Sequence, residues 1–272
     1  MKEICHDLTE EHSVLESVLL DLSEMQWNTP TPFYGWTIKD QVTHLTCFDR
    51  AAALSAAEPN RFRIETEALL KSADTHEEIH QRINAQAKGL AGEEVLARWN
   101  RARTEMVKAF ANREPKDRLP WYERDLGARS SATARLMESW AHGQDIADAL
   151  GIRHEPSLRL RHIAHLGVST FAWSFLVHGL PVPDQTISIT LSAPKKTTWK
   201  WGEDESEQSI TGTAEDFCLV VTQRRHPNDT ELTITGNVAR QWMENAQAFA
   251  GAPERGPAPG ERISLNVAGH KG

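Results

Sequence analysis

Cysteine is scarce in this chain. The three present, Cys5, Cys47 and Cys218, are odd in number, widely spaced and without C-x-x-C pairing. Neither a disulfide framework nor a cysteine-built zinc site is expected, and reduced thiols in a cytoplasmic protein are the simpler reading. Long apolar runs are missing as well: nothing approaches the roughly 18 to 20 uninterrupted residues that cross a bilayer, so no membrane partner is expected. The start, Met1-Lys2-Glu3-Ile4-Cys5-His6-Asp7, has neither the basic end nor the apolar stretch of a signal peptide. Positive charge is in deficit, with 30 Lys and Arg against 38 Asp and Glu for a net charge of −8, and no basic block interrupts that balance. Nucleic acid is thereby disfavoured as a partner, because such binding draws most of its affinity from neutralised phosphates. The chain also lacks GxSxG, Walker and GxGxxG patterns.

What remains is the composition of a globular protein of 272 residues, 39% hydrophobic and 25% charged, enough for two ordinary domains. Up to about residue 155 the apolar period is helical. Helices are expected over His6 to Met25, Thr37 to Ala57, Arg61 to Leu70, Thr75 to Leu90, Gly92 to Ala111 and Ala132 to Leu150. The run Asn28-Thr-Pro-Thr-Pro32 breaks the first, Thr37 with Asp40 forms a capping box for the second, and Gly151 stops the last. A bundle of four main helices plus accessories fits this pattern.

After Glu155-Pro156 one further helix, carrying Leu160, Ile163, Leu166 and Phe175, precedes a change of period from helical to alternating. Strands are expected at Gln185 to Leu191, Thr197 to Trp201, Ser209 to Thr211 and Thr230 to Thr235, with helices at Ala214 to Arg225 and Val238 to Ala250. The expected fold is α+β overall: a helical bundle over 1–155, a smaller α+β domain over 156–250, and a loose Gly- and Pro-containing tail over 251–272.

The chemistry concentrates in two helical segments. His44 lies in Trp36-Thr-Ile-Lys-Asp-Gln-Val-Thr-His44-Leu45, and Glu138 and His142 lie in Glu138-Ser-Trp-Ala-His142. Glu138 and His142, four apart, leave one helix face a turn apart. Two imidazoles and a carboxylate fill three positions on a divalent metal and leave at least one open, which is the ligand count of a catalytic site. Each residue also has a plainer reading. His44 beside Val42, Leu45 and Phe48 suits a hydrogen-bonded core histidine, and Glu138 with His142 suits an exposed pair. Against the latter, Met137, Trp140, Ala141 and Ile146 make an apolar neighbourhood in which an ionised carboxylate needs a cation or a full set of hydrogen bonds. Asp49 and Asp145 are candidates to orient an imidazole through its other nitrogen. Trp36, Trp140 and Trp173 could line a pocket or simply fill cores.

A second pattern, His76-Glu77-Glu78-Ile79-His80, matches HExxH. Its flanks are polar, and Asp74 or Thr75 as cap with Glu77 and Glu78 in the first turn explains the same residues by helix-start chemistry, so it is read as accidental. His162 and His165, beside Arg159 and Arg161, read as a solvated or domain-facing helix edge.

The stretch Trp36 to Ala53, with His44-Leu45 and Phe48-Asp49-Arg50-Ala51, together with Glu138-x-x-x-His142-Gly143-x-Asp145, resembles the metal-binding N-terminal domain of the mycothiol-dependent maleylpyruvate isomerase family, within the wider DinB-like four-helix-bundle superfamily. The second domain, with Gly212-Thr-Ala-Glu-Asp-Phe-Cys218, Gln223-Arg-Arg225 and Ala246-Gln-Ala-Phe-Ala250, is similar to the C-terminal module of actinobacterial-type relatives. That module also resembles the wyosine-base-formation domain, from which tRNA modification is not carried over to so acidic a chain.

The resemblance implies an up-and-down bundle, a zinc-like ion held by His44, Glu138 and His142, and often a low-molecular-weight thiol, mycothiol or glutathione, as cofactor or co-substrate. A cation there would deprotonate a thiol or water at neutral pH. Thiolate addition to an activated double bond, rotation and elimination amount to cis–trans isomerisation; addition alone is thiol transfer. An arginine of the second domain is expected to hold a substrate carboxylate, and Arg224 and Arg225 are the candidates, with a solvated pair at a helix end as the plainer reading. Three classes stay open: a metal-dependent isomerase or thiol transferase on a small, carboxylate-bearing substrate; a metal-dependent hydrolase or iron(II) oxygenase; and a non-catalytic, metal-braced ligand-binding protein. Zinc, iron and nickel are not distinguished by these residues, nor is the oligomeric state.

Overall fold

The computed structural model describes residues 1–71, 75–122, 124–203 and 206–262, with the side chains of His76 and Glu77 excepted. The chain divides into two compact units, Met1–Leu150 and Gly151–Gly272.

The first unit contains helices α1 (Lys2–Leu20), α2 (Glu24–Trp27), α3 (Ile38–Ala57), α4 (Pro59–Lys71), α5 (His76–Ala85), α6 (Gly92–Ala111) and α7 (Ala128–Leu150), with a short antiparallel pair β1 (Arg118–Leu119) and β2 (Leu126–Gly127) before α7. Four of these helices form the bundle: α3 packs on α6 and α7, and α1 packs on the same two. α1 thus stands across the diagonal from α3, and α6 from α7, while the successive helices α3 and α6 lie side by side. This differs from a simple up-and-down order, in which successive helices lie side by side. The linkers explain it: residues 21–37 hold α2 and a folded loop, and residues 112–127 hold the β1–β2 pair, so each is long enough to carry the chain across the bundle.

Leu19 and Trp27 with Val42 and Leu45 of α3, Trp99 of α6 and Ile146 of α7 close the core. The periodicity that predicts α3 is fixed at its start by the capping box. The Thr37 N–H donates to Asp40 Oδ2 at 2.9 Å, and the Asp40 N–H donates to Thr37 Oγ1 at 3.1 Å. That start sets the rotation of α3, and with it the direction in which His44 points two turns later. Just upstream the chain doubles back: Thr31 N–H donates to Trp36 O at 2.7 Å, and Tyr34 (φ 51°) and Gly35 (φ 69°) turn through left-handed backbone.

The second unit contains α8 (Leu160–Ser169), α9 (Phe171–Leu176), β3 (Ser188–Ala193), β4 (Thr197–Trp201), β5 (Ser209–Thr213), α10 (Ala214–Val221), β6 (Thr233–Thr235) and α11 (Asn237–Asn245). Its sheet runs β4-β3-β5-β6, with β3 and β5 parallel and both outer pairs antiparallel. The single helix expected after Pro156 is two, divided at Thr170. The helix expected to reach Arg225 ends at Val221 instead, because Gln223 adopts φ 59° and the amides of Arg224 and Arg225 both return to Leu219 O, at 2.7 and 3.2 Å. Of the segment 251–272 read as a tail, residues 263–272 lie outside the described residues; in the described part Arg262 is buried and donates from Nη1 to Gln223 O at 3.1 Å. The whole is α+β, a helical N-terminal unit followed by a mixed one. Among the described residues no helix is long and apolar enough to cross a membrane.

Candidate metal centre

The packing of α3 against α7 brings His44, Glu138 and His142 together, and their ligand atoms lie within 4.8 Å of one another. Both imidazoles turn Nε2 toward the same carboxylate oxygen: His142 Nε2 is 3.3 Å and His44 Nε2 3.9 Å from Glu138 Oε2. All three are withdrawn from solvent, with side-chain exposures of 2% for His142, 11% for His44 and 23% for Glu138. The Glu138 carboxylate is the most exposed of the three.

The His142 tautomer is set from behind. Its Nδ1 meets Gln41 Oε1 in a short hydrogen bond, and Asp145 Oδ2 lies 3.5 Å from the same nitrogen. Gln41 is itself held, donating from Nε2 to Thr31 Oγ1 at 2.8 Å, so its carbonyl oxygen is the end offered to the ring. An amide oxygen only accepts, so Nδ1 carries the proton and Nε2 presents a lone pair to Glu138. A lone pair facing a carboxylate across 3.3 Å is repulsive unless a proton or a cation lies between them. His44 poses the same problem: Nδ1 is buried without a hydrogen-bond partner among the described residues, and Nε2 is too far from Glu138 for a hydrogen bond.

Burial disfavours a proton on His44. Burial lowers the His44 pKa to about 3, with His142 pushing the same way and Glu138 opposing. Burial alone would raise the Glu138 carboxyl, but the two imidazoles beside it and Arg135 hold it well below the usual range. A neutral imidazole and an ionised carboxylate are the forms that bind a metal. The donor set, two nitrogens and one oxygen with an open side, fits a zinc-like ion.

Aromatic rings wall the centre. Trp36 lies 5.2 Å from the His44 ring and stacks parallel to His142 at 6.4 Å; Phe33 meets His142 edge-on at 5.4 Å and Phe48 lies 4.6 Å from His44. Of the tryptophans singled out in the sequence, Trp36 therefore faces the imidazoles. Trp140 is buried, and Trp173 donates to Phe249 O in the second unit at 3.2 Å. A groove of about 400 Å³ runs along a neighbouring side of α3, bordered by Thr43, Cys47, Arg50, Arg98 and Arg101, and none of the three candidate ligands lines it.

Asp145 stands beside an imidazole, as expected. Asp49 does not: fully buried, it accepts from Trp99 Nε1 at 3.0 Å and Arg135 Nε at 3.0 Å, making an ion pair inside the bundle. Gln41 was missed, although its position three residues before His44 puts it on the same helix face. In the HExxH segment, Thr75 caps α5 by accepting from the Glu78 N–H at 3.2 Å, as helix-start chemistry requires. His80 nevertheless reaches the centre's aromatic wall, 5.7 Å from the His44 ring. Arg224 and Arg225 are not a solvated pair. Each is 4% exposed in the second unit, with Arg224 Nη1 donating to Thr222 O at 2.7 Å and Arg225 Nη1 to Arg224 O at 2.8 Å.

Comparison with known proteins agrees with this architecture. Two uncharacterized proteins of Mycobacterium tuberculosis, from strains CDC 1551 / Oshkosh and H37Rv, are each 38% identical over 251 residues, covering 92% of this chain and 96% of theirs. The crystal structure of the mycothiol-dependent maleylpyruvate isomerase, and that of a variant with one histidine replaced by alanine, superpose with a TM-score of 0.52 at 14% identity, covering 80% of this chain and 87% of theirs. At that identity the likeness establishes the fold. Residues 8–147, which span the bundle and all three converging side chains, match the family described as the mycothiol maleylpyruvate isomerase N-terminal domain, and the chain belongs to that family.

Proposed function

We propose that the protein is a divalent-metal-dependent enzyme in which His44, Glu138 and His142 hold the ion, most fittingly zinc, and the open side receives a low-molecular-weight thiol. The observation that carries this reading is the convergence of two imidazole Nε2 atoms on one Glu138 oxygen, with the His142 tautomer set by Gln41. A cation there would lower the proton affinity of a thiol or water beside it and so supply a nucleophile at neutral pH. The chain's own residues do the rest. Gln41 and Asp145 orient His142, while Phe33, Trp36 and Phe48 exclude bulk water and leave an apolar approach for a small unsaturated substrate. Addition of the thiol to an activated double bond, rotation and elimination give isomerisation; addition alone gives transfer.

The superposed crystal structures are named for a mycothiol-dependent maleylpyruvate isomerase, which makes mycothiol, with glutathione as its commoner counterpart, the first thiol to assay. Within this reading Arg224 and Arg225 are the second unit's candidates for holding a carboxylate, a role that requires their guanidinium groups to leave the backbone carbonyls of Thr222 and Arg224. On the same reading residues 1–155 are the metal-binding domain and 156–250 a separate α+β domain.

The test is an assay of zinc-loaded protein with maleylpyruvate and related unsaturated carboxylates, with and without each thiol. Turnover that needs both zinc and thiol, is lost in a folded His142→Ala variant, and shows a raised KM in Arg224→Lys or Arg225→Lys supports the proposal. Thiol-independent hydrolysis would contradict it. The same donor set fits an iron(II) facial triad, so iron on the purified protein would move the function to oxygen chemistry.

A further inference from the structure

The groove along α3 is bordered by cations. Arg50 of α3 and Arg98 and Arg101 of α6 line its volume of about 400 Å³, against one carboxylate, Glu105, among the described residues. Arg98 and Arg101, three apart, leave the same face of α6, and α6 packs on α3, so arginines of two helices meet at one concavity. Elsewhere on the surface arginines hold carboxylates: Arg61 pairs with Glu65 at 2.8 Å, Arg63 with Asp125 at 3.1 Å and Arg129 with Glu3 at 3.0 Å. At the groove, no ion pair or hydrogen bond joins the side chain of Arg50 or Arg101 to another described residue, and Arg98 Nη1 reaches Gln86 O only at 3.5 Å. Like charges gathered around a concavity repel one another and focus a positive field there, although the chain as a whole carries a net charge of −8.

The rest of the lining offers shape and little polar recognition. Ala87, Val95 and Ala102, all buried, form its apolar part. Thr43 Oγ1 donates to Lys39 O at 2.7 Å and Thr46 Oγ1 to Val42 O at 2.8 Å, so neither hydroxyl has a hydrogen left for a ligand. Burial raises the Cys47 thiol, with Arg50 opposing, which makes it part of the wall and not a reacting thiolate. The charged donors are the arginines, whose planar forks fit carboxylate and phosphate oxygens.

We propose that this groove is a second binding site, for a small organic anion: an apolar body lies against Ala87, Val95 and Ala102, and a carboxylate or phosphate group is held between Arg50 and the Arg98–Arg101 pair. The volume is within the range of small-molecule sites, about 300–1,000 Å³. None of His44, Glu138 and His142 borders the groove, so the site is independent of the metal reading.

The test is isothermal titration calorimetry of the full chain with phenyl phosphate and with phthalate at constant ionic strength, in wild type and in an Arg98→Gln/Arg101→Gln variant. It is paired with the rate at which the neutral reagent N-ethylmaleimide labels Cys47, the thiol left accessible when Cys5 and Cys218 are buried. At least one of the two anions is expected to bind the wild type at one site and to slow Cys47 labelling saturably, while benzyl alcohol does neither. The double variant should bind that anion about tenfold more weakly, with unchanged circular dichroism because both arginines are exposed, and Arg50→Gln on α3 should weaken binding in the same direction. The preferred anion identifies the head group as phosphate or carboxylate. Binding of neither anion overturns the proposal. Binding that is unchanged in both arginine variants, or that leaves Cys47 labelling untouched, also overturns it, by placing the anion elsewhere, the metal centre included.

Discussion

Gln41 and His142 meet through Oε1 and Nδ1 across the seam between α3 and α7, and that contact decides which nitrogen of the imidazole is left for a cation. The amide is aimed by Thr31, which lies in the loop folded back onto the start of α3. The loop before the helix, the helix cap and the ligand tautomer are therefore one mechanical unit.

Replacing Gln41 with leucine keeps the volume and removes the acceptor. Zinc affinity, measured by competition with a chromophoric chelator, should fall about 10- to 100-fold while the helical circular dichroism signal is retained. Unchanged affinity would mean that Asp145 alone fixes the ring.

The buried pair of Asp49 and Arg135 sits behind the centre, with Trp99 as third partner. Burial raises the Asp49 carboxyl more than Arg135 lowers it, so the pair is held by geometry against a desolvation cost. Asp49→Ala strands Arg135 and should cost about 3–5 kcal/mol in urea unfolding. Pairing Asp49→Asn with Arg135→Met removes both charges and keeps an acceptor for Trp99, and should recover more than half of that loss.

Acid sensitivity should trace to buried neutral histidines. Burial lowers the His12 pKa to about 3, helped by Arg103 and Arg135. Between that value and the ordinary value near 6.5 the unfolded chain binds a proton that the folded chain refuses, so stability is full above about 6.5 and is lost as pH falls. His12→Leu should reduce the slope of unfolding free energy against pH between 6.5 and 4 by up to ~1.4 kcal/mol per pH unit, measured without metal. An unchanged slope would place the sensitivity elsewhere.

The long helices, the two-unit character and the three converging side chains were legible in the sequence, because helical period and i,i+4 spacing are local facts. His44 and Glu138–His142 needed only the further step that two amphipathic helices share a core. What was hidden depends on backbone turns and on packing between elements. The left-handed turn at Tyr34 and Gly35 gives no strong signal, yet it carries Trp36 back over the imidazoles. Arg224 and Arg225 looked like a helix end until Gln223, at φ 59°, turned them inward. His80 belongs to a polar first turn whose helix-start reading is correct, and only the docking of α5 on α3 shows that the same residue also faces the centre. Asp49 is a candidate to orient an imidazole on sequence alone, because the sequence does not reveal that Arg135 and Trp99 compete for it.

The most direct measurement is the metal content of protein purified without added metal, for wild type and for His44→Ala and His142→Ala variants whose folding is confirmed by circular dichroism. The account predicts close to one zinc per wild-type chain and almost none in either variant. A wild-type chain that carries no metal and takes up none of zinc, iron, nickel or manganese would contradict it, because the two imidazoles would then converge on Glu138 for a proton alone.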